Sequence, residues 1–158
     1  MDTITLARIE LLHPKLRTEA KEIYNEIVNA LKGRATIRFT QTLRTIAEQD
    51  ALYAQGRTKP GKVVTWAKGG KSYHNFGLAI DICLILDGKE ASWDTLKDYD
   101  GDKIADWMEA VTIFKARGWE WGGDWETKKD YPHFQKTFGY TPTKLKTMIK
   151  GSGYPAPL

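Results

Sequence analysis

The chain has 158 residues, room for one compact domain and not for two of ordinary size. Hydrophobic residues at 41% and charged residues at 28% exclude a disordered polymer, and the single cysteine, Cys83, excludes an internal disulfide. A net charge of +4 suits an anionic surface such as cell wall, nucleic acid or lipid without choosing among them.

Residues 1–12 lack the basic start and long apolar run of a secretory signal, and no stretch approaches the ~20 apolar residues of a membrane span. His13-Pro14 then opens a helical pattern. Leu16, Ala20, Ile23, Tyr24, Ile27, Val28 and Leu31 recur at helical spacing up to Gly33. Residues 34–40 read as a strand with Ile37 and Phe39 on one face. Thr45 followed by Glu48 is a capping-box signature for a helix stopping at Gly56.

Residues 57–73, rich in Gly, Lys and Thr, form a long loop of the kind that is functional or mobile. Residues 78–86 are the clearest strand: Leu78, Ile80, Ile82, Leu84 and Leu86 alternate onto one face, which leaves Ala79, Asp81, Cys83 and Ile85 on the other. Asp87-Gly88 turns the chain. Residues 104–117 read as an amphipathic helix with Ile104, Trp107, Met108, Val111 and Phe114 inward. Short apolar segments follow at 119–121 and 133–135, then a helix from Thr141-Pro142 to Gly151 and a Pro-rich tail expected to be loose. The fold class expected is α+β: a small antiparallel sheet with flanking helices, one domain over 1–158, its core at about 14–151.

Three histidines exist, His13, His74 and His133. His74 stands just before the strand that carries Asp81, with Gly77 between them free to make the turn that aims both at one point. Asp81 lies on a strand whose other face is apolar, so its charge needs a partner, and a divalent metal is a good one. His133 and Gln135 share a face of a short strand while Phe134 points to the core, and Pro132 biases Tyr131 to be extended. Asp130 is thereby brought near the same metal, where it could move a proton. Plainer readings stand beside these: a His/Asp pair seven apart arises by chance, residues 130–133 can be only a turn entering a strand, and His13 is most simply a helix-start residue.

Ser72, His74, Gly77, Ala79 and Asp81 match the S-x-H-x-x-G-x-A-x-D motif of the D-alanyl-D-alanine peptidase family, with its VanX-like and VanY-like enzymes, and Asp130 and His133 match its second motif. Leu43-Arg44-Thr45, Glu48-Gln49, Gln55-Gly56-Arg57-Thr58 and Trp121-Gly122-Gly123-Asp124-Trp125 resemble the L-alanyl-D-glutamate endopeptidase branch, which includes phage endolysins. The resemblance spans roughly residues 34–140. It implies a hedgehog/D-Ala-D-Ala peptidase-like fold, zinc held by His74, Asp81 and His133, Asp130 as general base and acid, and Arg44 beside the scissile carbonyl. Arg44 is otherwise a salt-bridge residue. Ser72 and Trp121 would support the site or touch substrate, and the tryptophans about Gly122-Gly123 are core aromatics or cleft wall.

The function so implied is a zinc metallopeptidase that cuts peptidoglycan between L-alanine and D-glutamate: a monomeric, bacteriolytic endolysin with no nucleic-acid partner and no stable membrane association. It would be made in the cytoplasm and reach the wall by holin-type release. The rivals are a D,D-carboxypeptidase or dipeptidase of the same family and a non-catalytic zinc-stabilised binding module. Asp98, Asp100 and Asp102, followed by Asp106 and Glu109, match a calcium-loop spacing except that Gly101 falls at the fourth position rather than the sixth. An acidic turn suited to the N-terminus of the next helix is the preferred reading there.

Overall fold

The computed structural model describes residues 1–151 and 153–158. In chain order the elements are α1 (Thr3–Ile9), α2 (Arg17–Ala30), β1 (Ala35–Gln41), α3 (Ile46–Ala54), β2 (Ala79–Leu86), β3 (Glu90–Ser92), α4 (Asp106–Ala116), β4 (Glu120–Trp121), β5 (His133–Gln135), α5 (Pro142–Thr147), β6 (Ile149–Lys150) and β7 (Tyr154–Pro155). The α+β expectation holds. An antiparallel sheet runs in the order β1-β2-β5-β4, and β3 shares the β5 edge of β2.

The alternation of β2 decides the layers. Ile80, Ile82, Leu84 and Leu86 face inward, joined from β1 by Ile37 and Phe39 and from β5 by Phe134. Buried side chains of α1, α2 and α4 complete this one contiguous core, with the Phe114 and Phe134 rings stacked at 4.0 Å between centroids. Such aromatics bury large areas, so this stack anchors β5 against α4. The opposite face carries the polar residues of the sheet, Asp81 of β2 directly across from His133 of β5.

Local signals are met at several points. Thr45 Oγ1 accepts from Glu48 N while the Glu48 carboxylate accepts from Thr45 N, the reciprocal cap that starts α3. His13 caps the turn Pro14–Leu16 by accepting from Lys15 N. Gly77 has φ +69°, and a Cβ there would lie 2.5 Å from His13 N, whose N–H donates to the Gly77 carbonyl at 3.0 Å. Only glycine fits this close crossing.

Four expectations need correction. The core does not begin at 14: α1 buries Thr5 and Ile9, and Asp2 ties it to β1 through a two-pronged ion pair with Arg38. A seven-residue helix is too short to announce itself by periodicity. Nor is the tail loose. β7 pairs with β6, Pro155 is buried, and its carbonyl accepts from His13 Nε2 at 2.7 Å; the last helix therefore stops at Thr147 rather than Gly151. Ile104 precedes α4 and is exposed instead of inward.

Because Phe134 fills the core while its neighbours His133 and Gln135 face away, truncating it tests the layering. Phe134→Ala is expected to cost about 3–5 kcal/mol, read as a lowered denaturant midpoint at unchanged m-value. A loss under about 1 kcal/mol would mean that the ring packs loosely and does not fix the facing of β5.

Candidate metal centre

The side chains that the two sequence motifs nominate converge. His74 Nε2 and His133 Nδ1 each lie 3.1 Å from Asp81 Oδ1, and the three candidate donor atoms are all within 4.8 Å of one another. Each arrives from a different element. Asp81 comes from the polar face of β2 and His133 from the strand paired with it. His74 lies on the short turn Tyr73–Phe76, begun by Ser72, whose Oγ accepts from His74 N, and ended by Gly77. Asn75 braces the same turn, its side chain accepting from Gly70 N and donating to the Arg44 carbonyl.

The outer nitrogens are already committed. His74 Nδ1 donates to the Thr42 carbonyl at 2.7 Å, and His133 Nε2 to Gln135 Oε1 at the same distance. A neutral imidazole carries one proton, so Nε2 of His74 and Nδ1 of His133 present lone pairs, and they present them to a carboxylate oxygen. Three electron-rich atoms facing one point need a proton or a cation between them. Without metal the surroundings reflect this. Burial would raise the Asp81 pKa, yet the two imidazoles outweigh it and hold the carboxyl well below the usual range. Burial disfavours charged His133, and Asp81 outweighs that too, raising its pKa. Two imidazoles and a carboxylate, with one side open to a cleft, are the donor set of a catalytic zinc site, so the residues fit this metal.

The cleft above the centre has a volume of about 670 Å3. Asp130 and Arg44 line it. Asp130 is brought close because Gly122 has no side chain: its carbonyl accepts from Asp130 N, and a Cβ there would collide with the Asp130 carbonyl. Burial first, and the Asp81 charge second, raise the Asp130 pKa. Arg44 lies with Nη2 3.9 Å from Asp81 Oδ2, while Nη1 donates to Gln49 Oε1 at 2.9 Å.

Ser72 also lines the cleft, in addition to capping the His74 turn. Trp121 is buried instead, its Nε1 donating to the Tyr131 carbonyl at 2.7 Å, so it props the segment leading to His133. Of the tryptophans about Gly122-Gly123, Trp125 lines the cleft and its ring lies 5.4 Å from that of His133. Sequence reasoning gave no role to Gln49, which is fully buried and ties Arg44 to Thr65 and Ala67 of the long loop. It also missed Trp66 and Lys128, which meet across the cleft mouth with the ammonium 4.9 Å from the ring centroid.

The acidic loop is organised differently from the expected trio. Donor atoms cluster as Asp98, Asp100 and Asp106, and as Asp100, Asp102 and Glu109. Asp98 accepts from the backbone N–H groups of Asp100, Gly101 and Lys103. Burial, then the neighbouring carboxylates, push the Glu109 carboxyl up to about 7.

Residues 65–136 match the family described as D-alanyl-D-alanine carboxypeptidase. The chain is 46% identical over 126 residues to the peptidoglycan L-alanyl-D-glutamate endopeptidase CwlK of Bacillus subtilis (strain 168), covering 78% of this chain and 72% of that protein. It is 32% identical over 105 residues to the L-alanyl-D-glutamate peptidase of Listeria phage A118, 64% of this chain but 34% of the phage protein. The fold is similar to that of Serratia marcescens L-Ala D-Glu endopeptidase ChiX, with a TM-score of 0.57 at 23% identity, over 87% of this chain and 90% of that one.

A centre of this kind couples metal to stability, since an ion held only by the folded state adds about 2.7 kcal/mol at a hundredfold excess over Kd. Adding zinc to chelator-stripped protein is expected to raise the Tm, and His74→Ala to abolish that rise. An equal zinc-dependent shift in the variant would remove His74 from the ligand set.

Proposed function

The chain belongs to the D-alanyl-D-alanine carboxypeptidase family, in the branch of L-alanyl-D-glutamate endopeptidases, and from that premise we propose that it hydrolyses the L-alanyl-D-glutamate bond of peptidoglycan stem peptides with zinc at His74, Asp81 and His133. The observation that carries the reading is the convergence of those three donors at the floor of a cleft that Asp130 and Arg44 also line.

Zinc, when bound, supplies a Lewis acid that polarises the scissile carbonyl and acidifies the attacking water. Asp130 takes the proton that the water gives up and passes it to the nitrogen of the breaking amide, so that D-glutamate leaves as a neutral amine. Its raised proton affinity suits both transfers. Arg44, fixed by Gln49, holds a positive charge where the carbonyl oxygen becomes negative, and a charge already in place costs no reorganisation during the reaction. No helix among the described residues is long and apolar enough to cross a membrane. The phage relative supports a lytic role against the cell wall.

Asp130→Ala is expected to keep its fold and zinc content and to lower wall hydrolysis by about 10²–10⁴-fold. Mass spectrometry of purified wall digested by the parent chain should show new amino termini on D-glutamate. Free D-alanine, or its dipeptide, would move the assignment to a D,D-carboxypeptidase or dipeptidase. Undiminished hydrolysis by the variant would end the role of Asp130.

We extend the proposal to calcium at the acidic loop. Asp106 is fully buried, yet its Oδ2 has no hydrogen-bond partner among the described residues, and neither has Oε2 of the half-buried Glu109. An unpaired buried carboxylate oxygen is costly and is relieved by a cation, and calcium accepts many carboxylates in flexible geometry. Calcium should raise the Tm of the zinc-loaded chain, and Asp106→Asn should erase the rise. No response in the parent would leave the loop as an acidic helix start.

A further inference from the structure

The ligands of the centre have a neighbour on the same sheet face with no assigned part. β5 places His133 and Gln135 two residues apart, hence side by side, and β4 sets Glu120 directly opposite Gln135. His133 Nε2 lies 2.7 Å from Gln135 Oε1, and Gln135 Nε2 donates to Glu120 Oε2 at 3.0 Å. Gln135 is buried, whereas Glu120 reaches solvent.

The chemistry of the row runs one way. An ionised carboxylate only accepts, so Glu120 selects the NH₂ end of the Gln135 amide and turns its oxygen toward His133. That oxygen likewise only accepts, so His133 must keep its proton on Nε2. The lone pair then sits on Nδ1, the atom beside Asp81. His74 obtains the same orientation from the Thr42 backbone carbonyl. Its tautomer needs no partner side chain, whereas that of His133 depends on two.

We propose that Gln135 and Glu120 are positioning residues that lock His133 as the Nε2–H tautomer and so set the affinity of the centre for its metal. The inference rests on the metal centre proposed above. Gln135 also lines the cleft and Glu120 does not, but the role assigned here needs no contact with substrate. Both act through His133.

The test is a zinc titration against a competing chromophoric chelator, on the metal-stripped parent chain and on Gln135→Leu, Glu120→Leu and the exchange Glu120→Gln with Gln135→Glu. Thermal unfolding of the metal-free forms and ¹⁵N NMR of the His133 ring accompany it. Gln135→Leu is expected to weaken zinc binding about 10–100-fold and to let the ring populate both tautomers. Glu120→Leu should weaken it by less, because the amide is still present but free to turn over. The exchange should restore most of the affinity, since a carboxylate at 135 accepts from His133 and an amide at 120 donates to that carboxylate. A purely structural role would lower the metal-free Tm and leave zinc affinity and tautomer unchanged. Zinc affinity in Gln135→Leu equal to the parent, or an exchange variant as weak as Gln135→Leu, would overturn the relay. Unaltered affinity in Glu120→Leu would remove Glu120 from it. If Gln135→Leu does not fold, the exchange and Glu120→Leu decide alone. Failure of the parent itself to bind zinc would instead sink the centre.

Discussion

Two imidazole lone pairs and a carboxylate oxygen repel one another when they face a common point, and in this chain nothing lets them turn away. The far nitrogen of His74 is tied to the Thr42 carbonyl and that of His133 to Gln135. Asp81 stands on the central strand of the sheet, with paired strands on both sides. The repulsion is therefore built in, and positive charge, a proton or a divalent cation, relieves it. The cleft, the placement of Asp130 and the cation of Arg44 acquire meaning only around that charge. Folding alone holds the three donor atoms together, so a cation would meet a site already organised.

What makes such a site tolerable is the division of β2 into two faces. Ile80, Ile82, Leu84 and Leu86 contribute to one core with the helices, a large apolar gain against which a few strained polar contacts on the other face are small. Local rules are broken where function is, and the neighbouring rules are kept strictly. The capping box of α3 and the αL glycine that ends the His74 turn meet their local requirements, and the unfavourable polar approach is confined to His74, Asp81 and His133.

Much of this was legible in the residues themselves. Alternation over 78–86 placed Asp81 opposite the core, and the spacing of His133 and Gln135 placed both on the polar face, as found. Those are statements about one strand, where period alone is enough. The motif residues named the other donor that the structure brings to the same point, His74. What stayed hidden depends on pairing between distant segments. Nothing near Gln49 says that it will reach Arg44 and residues 65–67, and nothing near Glu120 says that it will lie across from Gln135. The docked tail escaped for a related reason: its Pro and Gly content reads as loose until the contact between His13 and Pro155, 142 residues away, is known. Trp121 shows the limit from the other side. A large aromatic beside a glycine pair suits cleft wall and core equally, and its burial in the assembled core, with its bond to the Tyr131 carbonyl, decides.

The division of labour between strands and loops follows from the two demands on a peptidase site. Donor atoms must be held to fractions of an ångström, and Asp81 and His133 accordingly lie on hydrogen-bonded strands, His74 on a turn fixed by side-chain hydrogen bonds of Ser72, His74 and Asn75. A cross-linked polymer must still enter and leave, and the residues at the cleft mouth, Trp66 and Lys128, accordingly lie outside every strand and α-helix. Their contact is a cation over an exposed ring, worth about 0.5–1 kcal/mol at such a site, well within what an incoming substrate can displace. Arg44 bridges the two regimes. Its backbone belongs to the His74 turn through Asn75, and its guanidinium is tied through Gln49 to the long loop. Gln49 thus fixes the guanidinium and the residues on both sides of Trp66 together, and at the rim only the side-chain contact of Trp66 with Lys128 has to give way.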